Sequence, residues 1–130
     1  MNPCYNFGLM DLKELTQRMH EFVRAKGWYE PASPRPQTLR NLAISLNLET
    51  AEILEYFQWQ DDLNDYEGLS SELADVTLYL LQIASLSGID LEGAVLKKLE
   101  INYHRIWDDH HTGDNPSVKQ QDSGGDGVEA

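Results

Sequence analysis

The sequence holds a single cysteine, Cys4, so no intrachain disulfide can form and a reducing, cytoplasmic setting is expected. Cations are scarce as well: 10 Lys and Arg stand against 22 Asp and Glu, a net charge of −12. Neutralising nucleic-acid phosphates takes clustered Lys and Arg, so no nucleic-acid partner is expected. An anion bound by this chain must instead meet a cation supplied from outside, such as a metal ion. No stretch approaches the roughly 18 uninterrupted apolar residues of a membrane span. Residues 1–10 lack the cationic start and apolar run of a signal peptide. Neither a membrane partner nor export is therefore expected. Strand-like alternation and internal repeats of useful length are missing too.

What is present is helical periodicity. Asp11 can cap a helix through Leu12, Leu15, Met19, Phe22 and Val23, ending at Gly27. Pro31, Pro34 and Pro36 make residues 29–36 a stiff, non-helical connector. A second helix is expected over 38–59, and a third from Ser70 or Ser71 to Ser87, before Gly88. Asp90 can cap a fourth, over 91–107. The expected fold is an all-α four-helix bundle in one domain, residues 1–107. Residues 108–130, with six acids and one lysine, are read as a disordered, solubilising acidic tail.

Helical wheels expose an anomaly. On the second helix Leu42, Ile53, Leu46 and Phe57 fall within about 20–80° of Glu49, and Glu52 lies at about 300°, with Leu48 and Ile44 beyond it. The two acids thus stand between apolar stripes. The third helix is apolar on nearly every side, yet Glu72 and Asp75 share a face with Val76, Tyr79 and Ile83. Acids near a helix start can simply favour its dipole, and an isolated Glu pair can be a solvated edge. Four acids on apolar faces are a different matter: Arg40 is the only cation on the second helix and the third has none. A bound metal would neutralise them. All-oxygen donors without His or Cys suit Mg2+, or Mn2+, which typically complete their coordination with water and phosphate.

The text Glu49-Thr50-Ala51-Glu52, then 19 residues, then Glu72-Leu73-Ala74-Asp75 resembles the E-x-x-E…E-x-x-D signature of the MazG-like all-α nucleoside triphosphate pyrophosphatases. Arg40-Asn41-Leu42, Phe57-Gln58-Trp59 and Tyr79 are similar to the dCTP-pyrophosphatase-like branch, as are Lys98 and Asn102. His20 and Trp28 resemble that branch's histidine and tryptophan, with a spacing one residue short, and Ile106-Trp107 stand where it often has Tyr-Pro.

The resemblance implies Mg2+-dependent conversion of a nucleoside triphosphate, dCTP or a related dNTP, to the monophosphate and pyrophosphate. It implies metal ligation by Glu49, Glu52, Glu72 and Asp75, with Glu52 the candidate to orient or deprotonate the attacking water. Lys98 would neutralise phosphate; Trp28, Trp59 and Tyr79 would enclose the base; His20 and Asn102 would read its edge. It also implies a homotetramer, a dimer of dimers whose neighbouring chains complete each pocket. Two other readings compete. A di-iron carboxylate bundle would want Glu-x-x-His pairs, which these helices lack. A non-catalytic interaction module leaves the acids unexplained.

Overall fold

A computed structural model describes residues 10–106. They form four helices and no strand: α1 (Leu12–Ala25), α2 (Leu39–Glu55), α3 (Tyr66–Leu86) and α4 (Leu91–His104). The chain is therefore all-α, as expected. Trp107 and the expected tail, 108–130, lie outside the described residues.

Each helix starts at a side-chain cap. Asp11 accepts from the Glu14 amide at 2.8 Å, Thr38 from Asn41 at 3.2 Å, Asp65 from Gly68 at 2.8 Å and Asp90 from Gly93 at 3.1 Å. These bonds satisfy amides that a helix start leaves open.

α1 and α3 end alike. Gly27 and Gly88 both take φ 68, a left-handed conformation that glycine adopts without a Cβ penalty. Trp28 then donates its amide to Val23 and Gly27 to Arg24, while Ile89 donates to Ala84 and Gly88 to Ser85. This is the Schellman arrangement, which commonly brings the residue after the glycine against the last turn. Trp28 does so, its ring edge-on to Phe22 with centroids 5.5 Å apart.

Three boundaries differ from the sequence expectation. α3 begins at Tyr66, not at Ser70 or Ser71, because Asp65 caps it. Gly68, expected in the preceding loop, is helical: a Cβ there would collide with the capping Asp65 carboxylate and the Tyr56 hydroxyl. α2 ends at Glu55, not near Trp59, and its last amides fold into tighter turns, Tyr56 to Ile53, Phe57 to Leu54 and Gln58 to Glu55. α4 stops at His104, since Arg105 is already extended.

The core lies between α1 and α3, where Met19, Val23 and Leu81 are buried and Leu15, Trp28, Tyr29, Leu78 and Leu91 pack around them. α3 is the element that α1, α2 and α4 all meet, which matches its nearly all-round apolar surface. The four helices are consistent with the expected bundle, with α3 at its centre. α4 turns away from α3 by 104° and buries none of its residues. No single described helix is long and apolar enough to cross a membrane.

Candidate active site

α2 and α3 pack along the faces that carry the acids. Glu49, Glu72 and Asp75, all half-buried, bring one carboxylate oxygen each to within 4.8 Å of one another. Because α3 starts at Tyr66, Glu72 and Asp75 stand beyond its first turn, so attraction to the helix N-terminus does not explain them. Glu52 is exposed and stands outside this trio of oxygens, but it lies close enough to Glu49 and Glu72 to help raise both carboxyls. Beside it, Glu55, Tyr56 and Glu72 complete a small outer groove.

The electrostatics are those of crowded like charges. Desolvation pushes the Glu49 carboxyl up from its usual value, and Glu52 and Asp75 add to the shift. Glu72 is pushed up by desolvation and by the charges of Glu52, Glu49 and Asp75. Tyr56 is raised by desolvation and by nearby acids, Glu72 foremost. Every charge acting on these groups is negative. Crowding of like charges makes each of these carboxyls hold its proton more tightly, and a bound cation would favour its release. Converging oxygen donors with no His or Cys among them fit a hard divalent cation such as Mg2+. The expectation of carboxylates buried in apolar core is corrected in one respect: the acids lie at its edge, open on one side, which leaves access for a ligand.

Next to the acids lies a cleft of about 520 Å3. Asp75 belongs to both the acid cluster and the cleft wall. Of the residues expected to surround a base, Trp28 and Tyr79 line this cleft. Trp28 is held by Phe22 and by the Arg35 guanidinium, 5.4 Å from its ring.

The other expected residues stand elsewhere. His20 is not in the cleft wall, and both its ring nitrogens are engaged, Nδ1 with the Tyr29 hydroxyl at 2.6 Å and Nε2 with Ser85 at 2.7 Å. Neither nitrogen is free to read a base. Trp59 is 89% exposed beyond the end of α2. Lys98 and Asn102 sit on α4, which lines neither the cleft nor the outer groove.

Sequence reasoning missed the polar lining. Gln37, Asn41, Ser45 and Gln82 face the cleft, and the supposed connector 29–36 supplies Pro34, Arg35 and Pro36 to its wall. Gln82 had a signal: it follows Asp75 by two helical turns and so shares its face on an otherwise apolar helix.

No protein-family model matches the chain. Among curated proteins it is 32% identical over 111 residues to human dCTP pyrophosphatase 1, covering 78% of this chain and 62% of that protein. A dATP/dGTP diphosphohydrolase of Salmonella phage PMBT28 is 36% identical over 81 residues, 62% of this chain and 24% of that protein. The chain thus spans less than two thirds of these relatives' length. A crystal structure of a pyrophosphatase from Archaeoglobus fulgidus superimposes with a TM-score of 0.61 at 30% identity, covering 75% of this chain and 93% of the other. The acid signature, the all-helical fold and these relatives agree: the chain belongs to the MazG-like all-α nucleoside triphosphate pyrophosphatase superfamily, in its dCTP-pyrophosphatase-like branch.

Proposed function

We propose that the chain is a nucleoside triphosphate pyrophosphohydrolase that cleaves a dNTP, dCTP or a relative, between the α- and β-phosphates. The observation that carries this reading is the position of Asp75, at once in a converging carboxylate cluster and in the wall of an aromatic-lined cleft. A nucleotide with its base between Trp28 and Tyr79 would carry its phosphates toward Glu49, Glu72 and Asp75. The names of the phage and mammalian relatives support the substrate class.

Glu49, Glu72 and Asp75, with Glu52 beside them, would hold Mg2+, and Mn2+ as a substitute. When bound, the ion supplies charge neutralisation for the phosphates and acidity for a coordinated water. Glu52 is exposed at the cluster edge beside Glu49 and Glu72, a position suited to orienting the attacking water and accepting its proton. Trp28 and Tyr79 fix the base so that the α-phosphate stays in line with that water.

Lys98, Asn102 and Trp59 reach the phosphates or base only from a neighbouring chain. A homotetramer built as a dimer of dimers would supply them. The exposed apolar residues Leu96, Leu99 and Ile101 on α4, and Leu48 and Leu54 on α2, support association.

The deciding experiment is chromatography of a dCTP digest with and without Mg2+. The expected products are dCMP and pyrophosphate, formed only with the metal. Initial appearance of dCDP and orthophosphate would refute attack at the α-phosphate, and full turnover in excess chelator would refute the metal site.

A further inference from the structure

A directed chain of hydrogen bonds runs through the inner wall of the cleft. It begins at the Arg35 carbonyl, which accepts from Gln37 Nε2 at 2.8 Å. A carbonyl can only accept, so Gln37 turns its own oxygen inward. Gln82 Nε2 donates to that oxygen at 2.8 Å and to the Tyr29 hydroxyl at 3.2 Å. The Tyr29 hydroxyl also pairs with His20 Nδ1, and His20 Nε2 with the Ser85 hydroxyl. Both N–H groups of Gln82 are therefore consumed.

Its carbonyl oxygen remains. Gln82 is only 3% exposed and lines the cleft. The structure records no hydrogen bond to that oxygen, yet among the described residues no buried side-chain polar atom lacks a partner. The oxygen is therefore not sealed in the core; it opens on the cavity. Asn41 repeats the pattern. Its Nδ2 donates to the Pro36 carbonyl at 2.9 Å, which leaves the Oδ1 of this cleft-lining residue without a protein donor. Gln82 has spent both N–H groups and keeps only its carbonyl for a ligand; Asn41 has spent one and keeps its carbonyl and a second N–H.

The geometry points to Gln82, assisted by Asn41, as the determinant of base preference: its fixed carbonyl oxygen accepts a hydrogen bond from an exocyclic amino group of the nucleobase. An amino group offers two N–H donors, whereas an oxo group in its place offers none and sets two acceptors against each other. Turning the Gln82 amide to present N–H instead would break its bonds to Gln37 and Tyr29. A 4-aminopyrimidine or 6-aminopurine is thus favoured over its oxo counterpart. This inference rests on reading the cleft as a nucleotide site.

Equilibrium dialysis of the full-length protein against dCMP and dUMP, and against dAMP and dIMP, tests it without turnover. In each pair the amino-to-oxo exchange also turns the adjacent ring nitrogen from acceptor to N–H donor, so the two ligands differ along one edge of the base. The expected result is at least about tenfold tighter binding of the amino member in both pairs. Gln82→Met should bring each ratio to within about twofold, and its helical content by circular dichroism establishes that the variant is folded. Asn41→Asp, which retains an acceptor, should keep the preference for the amino member. Equal or reversed affinities in the wild-type chain overturn the inference whatever the variants do. An undiminished ratio in a folded Gln82→Met variant also overturns it, as does failure of every nucleotide to bind. Pyrophosphate release from the corresponding triphosphates is followed in parallel. Amino preference without turnover would uphold the base reading and refute the hydrolase; turnover without preference would do the reverse.

Discussion

The carboxylates of Glu49 on α2 and Asp75 on α3 approach within 4.8 Å of one another, with no cation among the charges acting on Glu49. Two helices that pack by burying apolar surface have been made to bring like charges together at their seam. The cost is electrostatic, and a divalent ion removes it.

Asp75→Asn and Glu49→Gln should each lower pyrophosphate release at saturating Mg2+ by at least about a hundredfold, since loss even of groups that merely support metal ligands commonly costs tenfold to a hundredfold. Helical content should be unchanged, because each change relieves repulsion without altering volume. Calorimetric titration should show a parallel loss of Mg2+ affinity. Wild-type turnover in either purified variant would remove that residue from the metal set.

Stability should depend on pH with a sign that follows from the raised Glu72. An acid whose folded pKa lies above its unfolded value binds more protons when folded. Its destabilisation is full above the folded pKa and gone below the unfolded value of 4.5. Glu72→Gln should therefore melt higher than wild type in chelator at pH 7.5, and the gap should close as pH falls toward 4.5. Adding Mg2+ should close or invert the gap at pH 7.5, because only the wild type gains from the ion. A gap that widens on acidification would contradict the assignment.

His20→Ala separates two roles. If His20 serves mainly to tie Tyr29 to Ser85, the variant loses about 1–2 kcal/mol, mainly from leaving the Tyr29 hydroxyl without its imidazole partner. The melting temperature then drops by roughly 4–16 °C. Burial also holds the His20 ring below its usual value of 6.5, with the Arg24 charge adding to this. Its contribution is therefore full above pH 6.5 and is lost as pH falls through the folded pKa. An unchanged melting temperature with weakened nucleotide binding would instead put His20 on the base.

Assembly is checked by light scattering. The expected mass is four times the 14.8 kDa chain. Leu96→Glu and Leu99→Glu, on the exposed face of α4, should give smaller species and lose activity in proportion. A fully active species at the monomer mass would show that Lys98 and Asn102 of a second chain are not needed.

Much was legible from local chemistry. The helix caps at Asp11 and Asp90 and the stops at Gly27 and Gly88 depend on residues within a turn of each other. The pairing of Glu49 and Glu52 with apolar stripes follows from 3.6-residue periodicity alone. Even the convergence of Glu72 and Asp75 with Glu49 could be anticipated, because charges on apolar faces need a common partner.

Other features needed the folded chain. Gly68 and Asp65 read as loop because glycine has poor helix propensity; the Tyr56 hydroxyl and the Asp65 cap, packed where a Cβ would be, decide otherwise. Residues 29–36 carry no periodic signal, yet Trp28, turned by the Gly27 stop, draws Arg35 over its ring and makes that segment a wall. His20 could be matched to a base reader by sequence position, but only the approach of α1 to α3 placed Tyr29 and Ser85 at its two nitrogens. Periodicity reports which face of a helix is apolar. It carries no information about which residues on two such faces meet, and in this protein those meetings determine where the acids converge and which atoms line the cleft.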